Sequence, residues 1–180
     1  KRETVSDVNF INRATKGVYE LGSVFKTFTV AAGLEENLIE MDTEFLNLEK
    51  RLKCGKNKIS EYDDKIPSDL TVEQILIRSG NIGSVRIGQK LGIDKLKSFL
   101  EKIGVLTKID FDIGEVGEPI PFRWGKCKLA TVSFGHGITT TPLQLAKGYA
   151  IIANGGFEIK PSLIKKNLKK DYKQKRIIKE

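Results

Sequence analysis

Ser23 and Lys26 are three residues apart in Ser23-Val24-Phe25-Lys26, a spacing that suits acyl transfer if the segment is helical. A helix opening at Ser23 puts the hydroxyl on its first turn and the amine on the same face. A serine hydroxyl is a poor nucleophile until something accepts its proton. An amine held in apolar surroundings can accept it, because desolvation disfavours the ammonium. The partial positive charge of a helix N-terminus acts in the same direction and favours an oxyanion nearby. Val24, Phe25 and Phe28 supply the apolar surroundings.

Ser79-Gly80-Asn81 is the second polar group of interest. A second hydroxyl can relay a proton, and an asparagine amide can both donate to and accept from a peptide-like substrate. The tripeptide is expected at a break between two helices. Thr71 and Gln74 have capping-box spacing and predict a short helix from Val72 to about Arg78. Asn81 is expected to cap the next helix, which runs to Leu91 and closes at Gly92.

The remaining elements follow the same punctuation. SVFKTFTVAA, residues 23–32, reads as a helix buried on most sides, with Gly33 as its stop. Residues 34–66 suggest turns with short strands around Phe45-Leu46 and Lys58-Ile59. Asp94 is expected to cap a helix whose Leu96, Phe99, Leu100 and Ile103 recur at helical spacing before Gly104. Thr141-Pro142 reads as an N-cap followed by proline at the first helical position, opening a helix that ends at Asn154. Residues 105–140, with Pro119, Pro121 and repeated glycines, read as a long irregular excursion of the kind that often lines a site.

Composition narrows the class. The chain has 180 residues, 39% of them hydrophobic, enough for a core and too many for a disordered or collagen-like chain. No apolar run approaches the roughly 18 residues that span a membrane, and the segment from Lys1-Arg2-Glu3 lacks a signal-peptide core. Net charge is +8, but residues 160–180 carry nine basic and two acidic residues and account for nearly all of it. The excess is therefore a terminal run read as a solvated segment. With Tyr172 its sole aromatic, it makes no case for nucleic-acid binding. Cys54 and Cys127 read as two unpaired thiols, with a long-range disulfide as the alternative in an oxidising compartment. With one histidine, His136, and no CxxC, a zinc site is not expected.

Together these segments resemble the penicillin-binding protein transpeptidases, whose motifs include SxxK and an SDN-like tripeptide. NRATKGVYELGSVFK (Asn12–Lys26) looks like the family's approach to its nucleophile, with Leu21 where proline is more usual. LTVEQILIRSGNIG (Leu70–Gly83) is similar to the segment around the second motif, with Gly80 in its variable middle position. SFGHGITTTPLQLAKGYAIIANGG (Ser133–Gly156) resembles a signature of the monofunctional class B members, notably the cell-division type.

The resemblance implies an α+β fold of the penicillin-binding protein and serine β-lactamase kind, with residues 1–180 as a partial, mainly helical transpeptidase domain. It implies Ser23 as acyl-accepting nucleophile and Lys26 as general base. Ser79 would be the proton relay, and Asn81 would hydrogen-bond both the donor peptide and Lys26. The Ser23 N–H would be one oxyanion donor. His136 matches no catalytic position and reads as structural. The implied ligands are peptidoglycan stem peptides and β-lactams, with no metal or cofactor. Divisome proteins and the inner membrane would be met through the parent chain, with the catalytic domain on the periplasmic side.

One departure is large. No Lys-Thr-Gly or Lys-Ser-Gly is present, and Thr15-Lys16-Gly17 has the wrong order and place. That motif, the N-terminal strands and the membrane anchor are expected elsewhere in a parent, and the 180 residues alone are expected to be inactive. The alternatives are a degenerate transpeptidase-like module that binds division partners, or a serine β-lactamase or penicillin sensor. The PLQLA-containing block does not resemble the latter two.

Overall fold

The structure, a computed structural model, describes residues 10–165 and 175–179. The middle of the Lys-rich terminal run lies outside the described residues. Two compact units are present. One comprises Glu20–Leu100 and Pro121–Ile138, the other Lys1–Tyr19, Glu101–Ile120 and Thr139–Glu180.

In chain order the elements are β1 (Tyr19–Glu20), a 3-10 turn (Gly22–Phe25), α1 (Lys26–Glu35), β2 (Glu44–Phe45), β3 (Arg51–Cys54), β4 (Asn57–Ser60) and β5 (Leu70–Thr71). They continue with α2 (Val72–Ile77), α3 (Asn81–Leu91), α4 (Ile93–Lys102), α5 (Lys126–Val132), β6 (Thr139–Thr140) and α6 (Pro142–Ala153). Helix dominates and the strands are short, as the pattern implied. Among the described residues no helix is long and apolar enough to cross a membrane.

In the first unit α1 packs on α2 and α3, and α3 in turn packs on α5 and β4. Phe25, Phe28, Ile82, Val85 and Ile87 fill the space between them, with the Phe25 and Phe28 rings edge to face at 5.5 Å. Thr29 Oγ1 donates to the Ser133 carbonyl at 2.8 Å, a buried bond that fixes α1 against the end of α5. β2 pairs antiparallel with β5, Phe45 opposite Leu70. β3 and β4 form a hairpin with Arg51 opposite Ser60 and Cys54 opposite Asn57.

The first helix departs from expectation at both ends. Ser23 lies in the 3-10 turn and α1 proper begins at Lys26; neither Leu21, which caps the turn, nor Phe25, which caps α1, offers a side-chain hydrogen bond to the orphan N–H groups. Gly33 is not the stop. It sits inside α1, where a Cβ would come within 2.5 Å of Ile39 Cδ1. Its missing side chain admits Ile39, and α1 continues to Glu35.

α2 has the expected reciprocal capping box of Thr71 and Gln74, and α3 ends at Gly92 with φ 79°. α4 starts at Ile93, so Asp94 lies in its first turn and is not its cap. Leu96, Phe99, Leu100 and Ile103 are buried as their spacing required. α5 falls inside the stretch expected to be irregular. Gly125 precedes it with no side-chain cap, so nothing in the sequence announces its start.

In the second unit α6 opens with proline at its start and a capping box between Thr141 and Gln144, both fully buried. Thr140 Oγ1 donates to the Val105 carbonyl at 2.9 Å, and Thr15 Oγ1 to that of Glu115 at 2.6 Å. Ile103, Val105, Ile109, Val116 and Ile151 form its apolar interior.

The two cysteines, read from sequence as unpaired thiols, are instead joined as a disulfide. Cys54 and Cys127 lie 5.3 Å apart at Cα across 73 positions of sequence. Spacing alone could not reveal this, since proximity comes from the hairpin folding back on α5. Loop-closure entropy for a ring of this size is worth about 4 kcal/mol. The oxidised protein is therefore expected to show no reactive thiol when denatured without reductant. Cys54→Ser with Cys127→Ser should lower unfolding stability by up to about 4 kcal/mol in a denaturant titration.

Candidate active site

Ser23, Ser79 and Asn81 line one cavity of about 420 Å³ in the first compact unit. Ser23 is exposed on the 3-10 turn. Lys26 occupies the first position of α1 and is only 1% exposed. Its Nζ donates to the Ser79 carbonyl and to Ser79 Oγ at 2.9 Å. One residue thus supplies both hydrogen-bond partners of the amine.

Ser79 can do so because its backbone is left-handed, with φ 52°. This region costs a side-chain-bearing residue about 1 kcal/mol. The turn follows directly from the local sequence: α2 ends at Ile77, and α3 restarts at Asn81 with Gly80 in the N-cap position. The corner between them turns the Ser79 carbonyl and hydroxyl toward one amine.

Burial pulls the Lys26 ammonium down from its ordinary 10.5 to about 8, against the opposing attraction of the Glu61 carboxylate. An amine with that affinity for protons is partly neutral close to neutral pH. Ser79, whose hydroxyl can donate or accept, is already hydrogen-bonded to it. The Lys26–Ser79 contact can pass a proton between nitrogen and oxygen, and the exposed Ser23 hydroxyl lines the same cavity as Ser79.

Asn81 behaves differently from its sequence reading in two respects. Its amide Nδ2 donates to the Ser60 carbonyl at 2.9 Å, while Lys26 is held by Ser79. Nor does Asn81 cap α3. That task falls to Glu61, whose Oε2 accepts from Asn81 N at 2.6 Å and whose Oε1 accepts from Ile82 N at 2.9 Å. Glu61 lies just past the short strand expected around Lys58-Ile59, where no local pattern singled it out as a helix cap.

The opposite rim of the cavity includes Glu20, Phe134 and His136. His136 Nδ1 is 2.5 Å from Glu20 Oε1, and the same oxygen accepts from Gly137 N at 2.8 Å. The imidazole also stacks on Phe134 at 6.1 Å. His136 thus holds a loop, consistent with a structural residue, but it also borders the cavity. Gly135, in that loop, has φ 88°, and a Cβ there would lie 1.8 Å from the Gly22 carbonyl oxygen. Only glycine lets the loop approach the turn that carries Ser23. Tyr62 closes another side, its hydroxyl donating to the Arg78 carbonyl at 3.0 Å. Glu20, Phe134 and His136 lie inside the two segments that carried the family resemblance, but no periodicity in sequence predicted that their loops, or Tyr62, would border this cavity.

The penicillin binding protein transpeptidase domain family matches residues 1–180. A probable peptidoglycan D,D-transpeptidase FtsI of Caulobacter vibrioides is 32% identical over 162 residues, covering 89% of this chain and 27% of that protein. The chain therefore spans about a quarter of the length of this curated relative. Among solved structures, a peptidoglycan glycosyltransferase from Burkholderia ambifaria superposes with a TM-score of 0.86 at 21% identity, covering 96% of this chain and 55% of that one. The TP domain of Burkholderia pseudomallei penicillin-binding protein 3 gives 0.83 at 23% identity, covering 93% and 51%. These two likenesses establish the fold, an α+β transpeptidase fold of which the chain holds a largely helical part. By family match over its whole length, this chain belongs to the penicillin-binding protein transpeptidases.

Proposed function

We propose that this chain is the Ser-Lys portion of a peptidoglycan D,D-transpeptidase that works through a serine acyl-enzyme. The observation that carries the reading is the buried Lys26 amine, hydrogen-bonded to Ser79, which lines one cavity with Ser23 and Asn81.

In this reading Ser23 Oγ attacks the carbonyl between the two terminal D-alanines of a stem peptide, and neutral Lys26 takes its proton. The tetrahedral oxyanion meets the Ser23 backbone N–H at the opening of the 3-10 turn. Ser79 Oγ, bonded to the amine, passes the proton to the departing D-alanine nitrogen as the C–N bond breaks. An ester of Ser23 remains. An amine of a neighbouring strand then attacks it, returning the hydroxyl and leaving a new amide cross-link. Asn81, on the same wall, hydrogen-bonds the donor peptide. A β-lactam enters by the same first step and persists because its ester hydrolyses slowly.

Ser23, Lys26 and Ser79 act on a shared proton, so the loss of any one disables the rest. The remaining oxyanion donor and carboxylate recognition belong to the family's third motif, which has no match within residues 1–180. The reading therefore assigns no activity to these residues by themselves. The Cys54–Cys127 disulfide favours an oxidising compartment, in keeping with a domain on the outer side of the inner membrane. The class B signature at Ser133–Gly156 favours a role in cell division, with divisome proteins met through the parent chain.

In the full-length protein, Ser23→Ala should abolish labelling by a fluorescent penicillin. Lys26→Ala should slow it by about 10²–10⁴-fold, the usual worth of a positioned base. Normal labelling of either variant would remove the assignment. Residues 1–180 expressed alone should take up no label, and an acylated Ser23 in that fragment would show that the third motif is dispensable.

A further inference from the structure

Glu61 is outside both motifs that define the candidate site, yet it touches the element on which one of them rests. It follows Ser60, the last residue of β4, and its two carboxylate oxygens accept from the first two N–H groups of α3, those of Asn81 and Ile82. Ser60 itself accepts from Asn81 Nδ2. Two adjacent residues of the hairpin strand and its exit therefore grip both the backbone and the side chain of Asn81. A carboxylate at this position satisfies orphan donors and meets the positive end of the helix dipole. The hairpin is in turn anchored by the disulfide at Cys54.

We propose that Glu61 is a positioning residue for acyl transfer: its carboxylate fixes the Ser79-Gly80-Asn81 corner in register and places one negative charge within reach of the Lys26 amine. The proposal rests on the functional reading above. The corner connects the two effects. Ser79 contacts Lys26 directly, and the residue two positions on, Asn81, is clamped by Glu61. Were α3 to slide or its first turn to fray, the Ser79 carbonyl and hydroxyl would leave the amine.

The charge also acts against burial by holding protons on Lys26 more tightly than the apolar surroundings alone would. Other ionisable groups nearby are already engaged or exposed. Glu20 is paired with His136 and Gly137 N, and Tyr62 donates to the Arg78 carbonyl. On the helices packed against α1, Glu73 and Lys90 are exposed and Arg86 is ion-paired with Glu49. Glu61 is thus the carboxylate whose field acts on the amine, and its removal should lower the pH at which Lys26 becomes neutral.

The test uses the full-length protein with Glu61→Gln and Glu61→Asp, measuring the rate of acylation by a fluorescent penicillin against pH. Gln keeps the shape but turns a donor toward one of the two α3 N–H groups. It should lower the plateau rate about tenfold or more, as misplacement of a catalytic group does, and move the acid limb to lower pH. Asp keeps the charge with one methylene less, so its acid limb should stay near that of the parent protein even where its plateau is reduced. A Gln variant with the parent's plateau and limb would overturn the proposal. So would equal losses in both variants with no movement of the limb, which a merely structural residue would produce. Titration of ¹³C-labelled Lys26 by NMR gives a readout independent of acylation: a lower midpoint in Glu61→Gln supports the proposal, and an unchanged one contradicts it. If the parent protein does not label at Ser23, the functional reading fails, while the NMR titration still decides whether the Glu61 carboxylate acts on Lys26.

Discussion

Lys26 imposes the strictest condition on this fold, because a long cationic side chain has been taken almost wholly out of water. Such a group must either lose its proton easily or find acceptors close by. Both happen here. Apolar packing weakens its hold on the proton, while Ser79 supplies a carbonyl and a hydroxyl. Placing those acceptors requires the left-handed corner at Ser79, and the corner requires α2 to stop and α3 to restart within three residues. The local strain at Ser79 is small beside the cost of an unpartnered buried amine.

That arrangement depends on a scaffold of close approaches. The Ser23 turn lies against the loop at Gly135, and α1 is fixed to the end of α5 through Thr29 and Ser133. The hairpin is held at one end by the disulfide and reaches the corner at the other through Ser60 and Glu61. Interiors packed this tightly transmit small displacements, so a change far from Ser23 can alter the corner. In this sense the β3–β4 hairpin is part of the site, even though neither motif falls within it.

Several of these features were legible in the residue order. The Thr71–Gln74 capping box and the Thr141-Pro142 start are local chemistry, and both helices begin where those residues place them. The apolar spacing of α4 identified its buried face. Ser23 and Lys26 stood out in sequence by their three-residue spacing, and the structure sets them on either side of the junction between the 3-10 turn and α1. Features that depend on distant partners were not. Asn81 looked like a cap because its type favours that position, but a carboxylate twenty residues earlier took the N–H groups. Gly33 looked like a stop because the approach of Ile39 could not be foreseen. α5 starts after Gly125 with no side-chain cap, and the cysteines meet only after the hairpin folds back. Local physics set the starts of α2 and α6 and the end of α3, while long-range contacts set the rim, the disulfide and the grip on the corner.

The central claim is that burial makes the Lys26 amine available as a base near neutral pH, and its own titration tests that most directly. With lysine ¹³C-labelled at Cε in the full-length protein and Lys26 assigned by its loss in Lys26→Arg, the midpoint should lie at about 8. Because the native value is depressed, native stability should also rise as pH climbs from about 8 toward the unfolded value of 10.5, where the unfolded chain binds the extra proton. A midpoint at the ordinary 10.5 would mean that the amine stays charged across the working range, and the account of Lys26 as a base would be wrong.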